Sequence, residues 1–460
     1  MSDLNAVLAR IDADLDASLD RLFALLRIPS ISTDPAYAAD CRAAADWLVA
    51  DLRGIGFQAE SRPTDGHPIV VAHDRSAAGT SALFYGHYDV QPVDPLELWE
   101  DDPFAPRLHT RADGSREIRA RGASDDKGQV MTFVEACRAW KAVTGRLPAP
   151  VSLLIEGEEE SGGKHLPPFM EKHADELRAD IGLVCDTGMW NPQTPAITTM
   201  LRGLCGEEIV ITAADRDLHS GMYGSAAANP NRVLARILAD LHDEHGRVAI
   251  PGFYDGVPEL SEELREAWGR LDFDAGAFLG AVGLALPAGE ADRSALEMIW
   301  SRPTAEINGM GGGYQGAGFK TVIPGKASAK VSFRLVFDQD PHAVRAAFRR
   351  FVRARLPADC KVEFIEHGSG RATTFASDAP AFAKAKKALS DEWGVEAAFI
   401  GSGGSIPVCR EFKDVLGMDV ILAGFGLDDD RIHSPNEKYD LESFRKGTRA
   451  WARILHELGA

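Results

Sequence analysis

The chain has 460 residues, with 50 Lys and Arg against 69 Asp and Glu, a formal net charge of -19, 45% hydrophobic residues and 26% charged ones. Those proportions describe a soluble globular protein with material for a sizeable core, in two or three domains at roughly 150 residues each. The acidic excess argues against a nucleic-acid groove or an anionic membrane surface, because both need clustered Lys and Arg; part of the acid is free to serve cations.

In chain order, Met1 to Asp20 alternates Asp with Leu, Val and Ile and is no secretory signal, and no apolar run anywhere reaches the roughly 18 residues of a membrane span. Apolar residues from Leu4 to Leu26 recur at three- and four-residue steps, which predicts one amphipathic helix ended by Pro29. A helix over 38–53 follows, then strands over 69–72 and 82–85, a helix over 127–143, a strand over 151–155, a short helix over 167–173 and a strand over 181–185. That alternation predicts a mainly parallel sheet flanked by helices.

Beyond Leu204 the texture changes. A strand over 207–212 and a helix over 231–242 lead into a long irregular stretch to about Ile299, then a Gly-rich segment, a strand over 327–337, a helix over 341–356 and a strand over 360–366. This reads as a smaller α+β domain, residues 207–372, inserted into an α/β domain made of 1–206 and 373–460. The α/β pattern resumes with a helix over 382–393, a strand over 420–423 and a closing helix over 441–458. The six cysteines, Cys41, Cys137, Cys185, Cys205, Cys360 and Cys409, include no C-x-x-C pair and read as reduced core thiols of a cytoplasmic protein.

Several predicted strands end alike. His87 and Asp89 follow the strand over 82–85, Glu158-Glu159-Glu160 follows 151–155, Asp186 follows 181–185, and His433 comes after 420–423. Asp125 and Asp126 open a helix. Taken singly, a loop histidine is an ordinary hydrogen-bonded residue, three glutamates are a solvated face, and an Asp pair is a helix cap. Together they would gather negative charge where open α/β sheets place their ligands, and paired cations are the simplest relief.

The motifs Tyr85-Gly86-His87-Tyr88-Asp89-Val90-Gln91-Pro92, Arg121-Gly122-Ala123-Ser124-Asp125-Asp126-Lys127-Gly128, Glu156-Gly157-Glu158-Glu159-Glu160-Ser161-Gly162 and His433-Ser434-Pro435-Asn436-Glu437 resemble those of the M20 metallopeptidases, nearest the cytosolic nonspecific dipeptidase and carnosinase branch. The resemblance implies a zinc-peptidase catalytic domain with an inserted lid and dimerisation domain. It implies that His87 and Asp186 bind one divalent metal, Glu160 and His433 the other, and Asp125 bridges them. The ions would lie about 3.5–4 Å apart and share a hydroxide nucleophile. Zn²⁺ suits the mixed imidazole and carboxylate set, and Mn²⁺ or Co²⁺ would also be accepted. Asp89 would hold His87 in its ligating tautomer. Glu159 resembles the general base, with Glu158 as its rival. The Asp125–Asp126 peptide is cis in relatives and is expected to be cis here.

In the insert, the resemblance implies that His219 reaches across a homodimer to stabilise the oxyanion. Thr321, Arg334 and the turn Gly403-Gly404-Ser405 would surround the free carboxylate of the substrate, and His367 matches another substrate-side histidine; without the resemblance Arg334 reads as an edge-strand surface charge. A phosphate-loop reading of Gly309 to Thr321 fails, because Phe319 separates Gly318 from Lys320. The expected activity is therefore hydrolysis of a dipeptide or similar amide. N-acyl amino acid hydrolase or carboxypeptidase activity is the alternative, and a non-catalytic binding protein the rival from another class. The partner is a small peptide or N-acyl amino acid, with no nucleic acid and no membrane.

Overall fold

Four adjacent parallel strands, in the order Val151–Glu156, Ala82–His87, Ile181–Val184 and Val420–Leu422, form the centre of the computed structural model, which describes residues 3–404 and 406–460. Every residue of these strands is buried, as a sheet covered on both faces requires. The α/β fold class is as expected, and the sheet is mixed at its flanks. Gln58–Arg62 and Ile69–Asp74 add antiparallel strands beside Val151–Glu156, and Ala196–Leu201 runs antiparallel to Val420–Leu422.

The helices Lys127–Thr144 and Leu441–Leu458 pack on each other and on Asp3–Ala13. Aromatic rings lock the helices to the sheet. Phe84 stacks on Phe133 with centroids 3.9 Å apart, and Trp451 meets both edge-on at 5.7 and 5.5 Å. The single N-terminal helix expected over Leu4 to Leu26 is two, Asp3–Ala13 and Leu15–Leu26. Backbone bonds at Asp14 span the break, so the apolar stripe keeps its spacing and periodicity does not betray it. Short charged strands that carry little apolar signal, Arg107–Thr110, Arg116–Arg119 and Lys438–Asp440, make a further antiparallel sheet.

The chain divides into two compact units. One comprises residues up to Thr199, Phe375–Ile400 and Glu411–Ala460; the other comprises Met200–Thr374 and Gly401–Arg410. The sequence reading has no counterpart for the 401–410 strip in the second unit. That unit is built on a four-stranded antiparallel sheet in the order Thr304–Gly312, Lys326–Leu335, Gly203–Thr212 and Lys361–Gly370. Burial alternates along its two central strands, and Ile209, Ile211, Val331 and Phe333 pack with Leu234 and Ile237 of the helix Pro230–Ala239 and with Phe348 of the helix Pro341–Arg353. The stretch read as irregular contains the short helices Glu262–Gly269, Ala275–Gly280 and Ala295–Trp300, each started by an Asp or Ser side-chain cap. They are too short to show an apolar period.

All six cysteines are buried thiols outside any disulfide. Among the described residues no helix is long and apolar enough to cross a membrane. Because Trp451 joins sheet and helices, Trp451→Ala is expected to destabilise the first unit by about 3–5 kcal/mol in denaturant unfolding; an unchanged midpoint would show that the aromatic cluster does not hold these layers together.

Candidate metal centre

Because the four central strands are parallel neighbours, their C-terminal ends lie on one edge of the sheet, and residues as distant in sequence as 87 and 433 meet there. His87 is the last residue of its strand, Glu160 lies in the turn after Val151–Glu156, Asp186 two residues past Ile181–Val184, and His433 in the loop after Val420–Leu422. Asp125 comes from the loop that starts the helix Lys127–Thr144. The result is two groups that share one carboxylate: His87, Asp125 and Asp186, and Asp125, Glu160 and His433, with the donor atoms of each group within 4.8 Å of one another. Asp125 Oδ1 lies 3.1 Å from His87 Nε2, and Asp125 Oδ2 lies 2.9 Å from His433 Nε2. His433 Nε2 is also 3.2 Å from Glu160 Oε2, and Asp186 Oδ2 is 3.9 Å from His87 Nε2.

The surroundings fix these atoms. Asp89 serves two sides: its backbone carbonyl, at 3.1 Å, and its carboxylate, at 3.4 Å, face His87 Nδ1, while the carboxylate accepts the backbone N–H groups of Glu159 and Glu160 at 3.3 and 3.0 Å. His87 is thereby left with Nε2 facing Asp125. Gln91 donates to Glu160 Oε2 at 2.7 Å. Asp126 accepts the backbone N–H of His87 at 3.1 Å, and Gly86 admits this contact because a Cβ there would lie 2.7 Å from the Asp126 carboxylate. The Asp125–Asp126 peptide is cis.

Glu437, the last residue of the fourth motif, has a role that sequence reading did not assign. Fully buried, its carboxylate accepts the N–H groups of Gly122, Ser124 and Asp125 at 2.9, 2.9 and 3.0 Å and pairs with Arg121 at 2.8 Å. It therefore anchors the loop that delivers Asp125. His433 itself has φ 61°, as do Arg431 and Asn436 within a few degrees, a left-handed conformation that non-glycine residues adopt at some cost and that recurs at functional sites.

The electrostatics fit cations. Burial opposes the charge of Asp125, but bonds from His433 and His87 hold its carboxyl well below the usual range. Burial and the Asp125 charge push Asp186 up to about 7. Bonds to Asp125 and Glu160 lift His433 to about 10; His87 is opposed by burial yet lifted well above 6.5 by Asp125 and Asp89. Among the described residues no lysine or arginine pairs with Asp125, Asp186 or Glu160. Two imidazoles and three carboxylates that converge without a basic partner form a donor set suited to divalent ions. The neighbouring glutamates differ: Glu158 is bound to His165 Nδ1 at 2.6 Å, whereas burial raises the Glu159 carboxyl beside His87 and Glu160.

The remaining candidate residues belong to the second unit. His219 pairs with Val322 next to Thr321, whose carbonyl accepts the Ser220 N–H at 3.1 Å. His219 Nδ1 accepts the Gly221 N–H at 3.0 Å, which places the ring proton of the neutral imidazole on Nε2. Arg334 lies on a central strand, paired with Thr304 and Leu204, so the edge-strand reading is corrected. His367 is half-exposed at an irregularity of an edge strand, 3.5 Å from Glu208. Gly404 accepts the backbone N–H of Arg202; Ser405 lies outside the described residues.

The fold is a mixed α/β scaffold, and its site gathers two groups of His, Asp and Glu donors that meet at Asp125. The sequence matches Peptidase family M20/M25/M40 over residues 83–457, and the chain belongs to that family and is an enzyme. It is 30% identical to a Cys-Gly metallodipeptidase of Schizosaccharomyces pombe, covering 98% of this chain and 97% of that protein, and 30% identical to a human Beta-Ala-His dipeptidase over 85% and 77%. Among solved structures, a metallo-carboxypeptidase of the M20 family from Sulfolobus solfataricus superposes with a TM-score of 0.78 at 32% identity, covering 96% of this chain and 99% of that one.

If the two groups share Asp125, dialysed protein analysed by mass spectrometry should retain two divalent ions, one after Asp186→Ala or Glu160→Ala, and neither firmly after Asp125→Ala; two ions in the last variant would break the scheme. Loading also has a proton cost. His433, titrating near 10 in the metal-free protein, is protonated at neutral pH, and a ligating imidazole must be neutral. Metal binding at pH 7.5 should therefore release protons and weaken as pH falls, seen as a calorimetric enthalpy that depends on the buffer; no such dependence would contradict the assignment of His433.

Proposed function

We propose that the enzyme hydrolyses the amide bond of dipeptides, or of similar substrates with a free carboxylate, with two divalent ions held by His87, Asp125 and Asp186 and by Asp125, Glu160 and His433. The observation that carries this reading is the sharing of Asp125, one oxygen toward each imidazole. Ions bound there would supply Lewis acidity toward the amide carbonyl and ease ionisation of a water. Zn²⁺ is the first choice for these donors, with Mn²⁺ and Co²⁺ as alternatives.

Glu159 is assigned the proton transfers: its carboxylate takes a proton from the attacking water and returns it to the leaving amine. Its carboxyl, raised by burial and without a Lys or Arg partner among the described residues, suits that task, and the engagement of Glu158 with His165 favours Glu159 over its rival. Asp89 orients His87 and the Glu159–Glu160 turn together. His219 would donate from Nε2 to the carbonyl oxygen as negative charge develops, acting across a homodimer formed through the second unit. Thr321, Arg334, Gly404 and Ser405 are assigned to the substrate's carboxylate end, and His367 to substrate binding.

Both named dipeptidase relatives support a two-residue substrate. Carboxypeptidase activity is the second reading, favoured by the likeness to the Sulfolobus enzyme. Incubating metal-loaded protein with dipeptides, β-alanyl-histidine, longer peptides and N-acyl amino acids, with products read by mass spectrometry, separates the two. Cleavage confined to dipeptides is expected; trimming of longer peptides one residue at a time would select the carboxypeptidase, and cleavage of acyl compounds alone an acylase. On the preferred dipeptide, Glu159→Gln should lower kcat by about 10²–10⁴ with metal content intact, while Glu158→Gln stays within about tenfold; the reverse pattern would exchange their roles.

A further inference from the structure

Arg202 lies outside every motif that points to the metal centre. It immediately precedes the strand Gly203–Thr212, whose Leu204 pairs with Arg334. Its backbone N–H donates to the Gly404 carbonyl at 3.1 Å and its Nε to the Gly403 carbonyl at 3.2 Å. A Cβ on Gly403 would come within 3.0 Å of a terminal guanidinium nitrogen of Arg202, so the turn rests against the guanidinium itself.

Both arginines are half-buried, and the Arg334 side chain makes no hydrogen bond or ion pair among the described residues. Burial and then the charge of Arg334 bring Arg202 down to about 10, while exposed Glu306, not within ion-pair distance, pulls weakly the other way. Two neighbouring guanidinium groups with no carboxylate at ion-pair distance among the described residues form a place suited to receive an anion.

We infer that Arg202 is a positioning residue for a substrate carboxylate: it fixes the Gly403–Gly404 turn and, with Arg334, sets a doubly positive field that selects an acid over its neutral amide. This rests on the proposed reading in which Arg334 and Gly404 serve the substrate's carboxylate end.

The test titrates a slowly cleaved dipeptide with a D-residue, and the same compound as its carboxamide, into metal-loaded wild type, R202Q and R202K by calorimetry. Wild type should prefer the acid by tenfold or more. R202Q should lose about tenfold of that preference through weaker binding of the acid alone, and on a cleaved dipeptide its KM should rise with kcat within about threefold. R202K keeps the charge but not the Nε bond, so it should lose at least threefold, and it decides the matter if R202Q is not recovered folded. Equal weakening of acid and amide, the mark of a merely structural residue, or an unchanged preference would overturn the inference. A wild type that cleaves dipeptides while R202Q and R202K keep the full preference sinks this inference alone; a wild type indifferent to acid and amide sinks the carboxylate pocket with it.

Discussion

One carboxylate with an imidazole at each oxygen is the constraint on which the first unit depends. Asp125 can face His87 and His433 at once only if its loop is held from behind, and Glu437 does this with three backbone bonds and the Arg121 pair. Asp89 performs the matching service on the other side, tying His87 to the glutamate turn. Parallel pairing of four buried strands then brings the pieces to one edge. Sheet, anchoring loop and ligand cluster are therefore one arrangement: the apolar strands supply position, and the buried polar network supplies orientation.

The same arrangement explains why acid is concentrated in a buried place. Within this cluster the neighbouring carboxylates lift His433 and His87 toward holding protons, while burial and the Asp125 charge raise Asp186. Divalent ions would replace those protons. In the second unit the Arg202 and Arg334 side chains have no carboxylate ion-pair partner among the described residues.

Much of this was legible in the sequence, for identifiable reasons. The strand over 82–85, the helix over 441–458 and the alternation of strand and helix follow from apolar runs and periods, and the five clustered residues stand at ends of those runs. What escaped had no such signal. The strands around Arg107, Arg116 and Lys438 are charged and short; the helix near Ala275 spans too few residues for a period; the break at Asp14 leaves the stripe in phase. Glu437 was visible within a motif, but its role depends on three N–H groups from a loop some 310 positions away. Arg202 and the 401–410 strip become meaningful only through tertiary pairing.

Anomalous diffraction from crystals of the zinc- or manganese-loaded enzyme tests the central claim most directly. The account predicts two metal peaks flanking the Asp125 carboxylate, one beside His87 and Asp186 and one beside Glu160 and His433. A single peak, or two that leave Asp125 unbound, would contradict it.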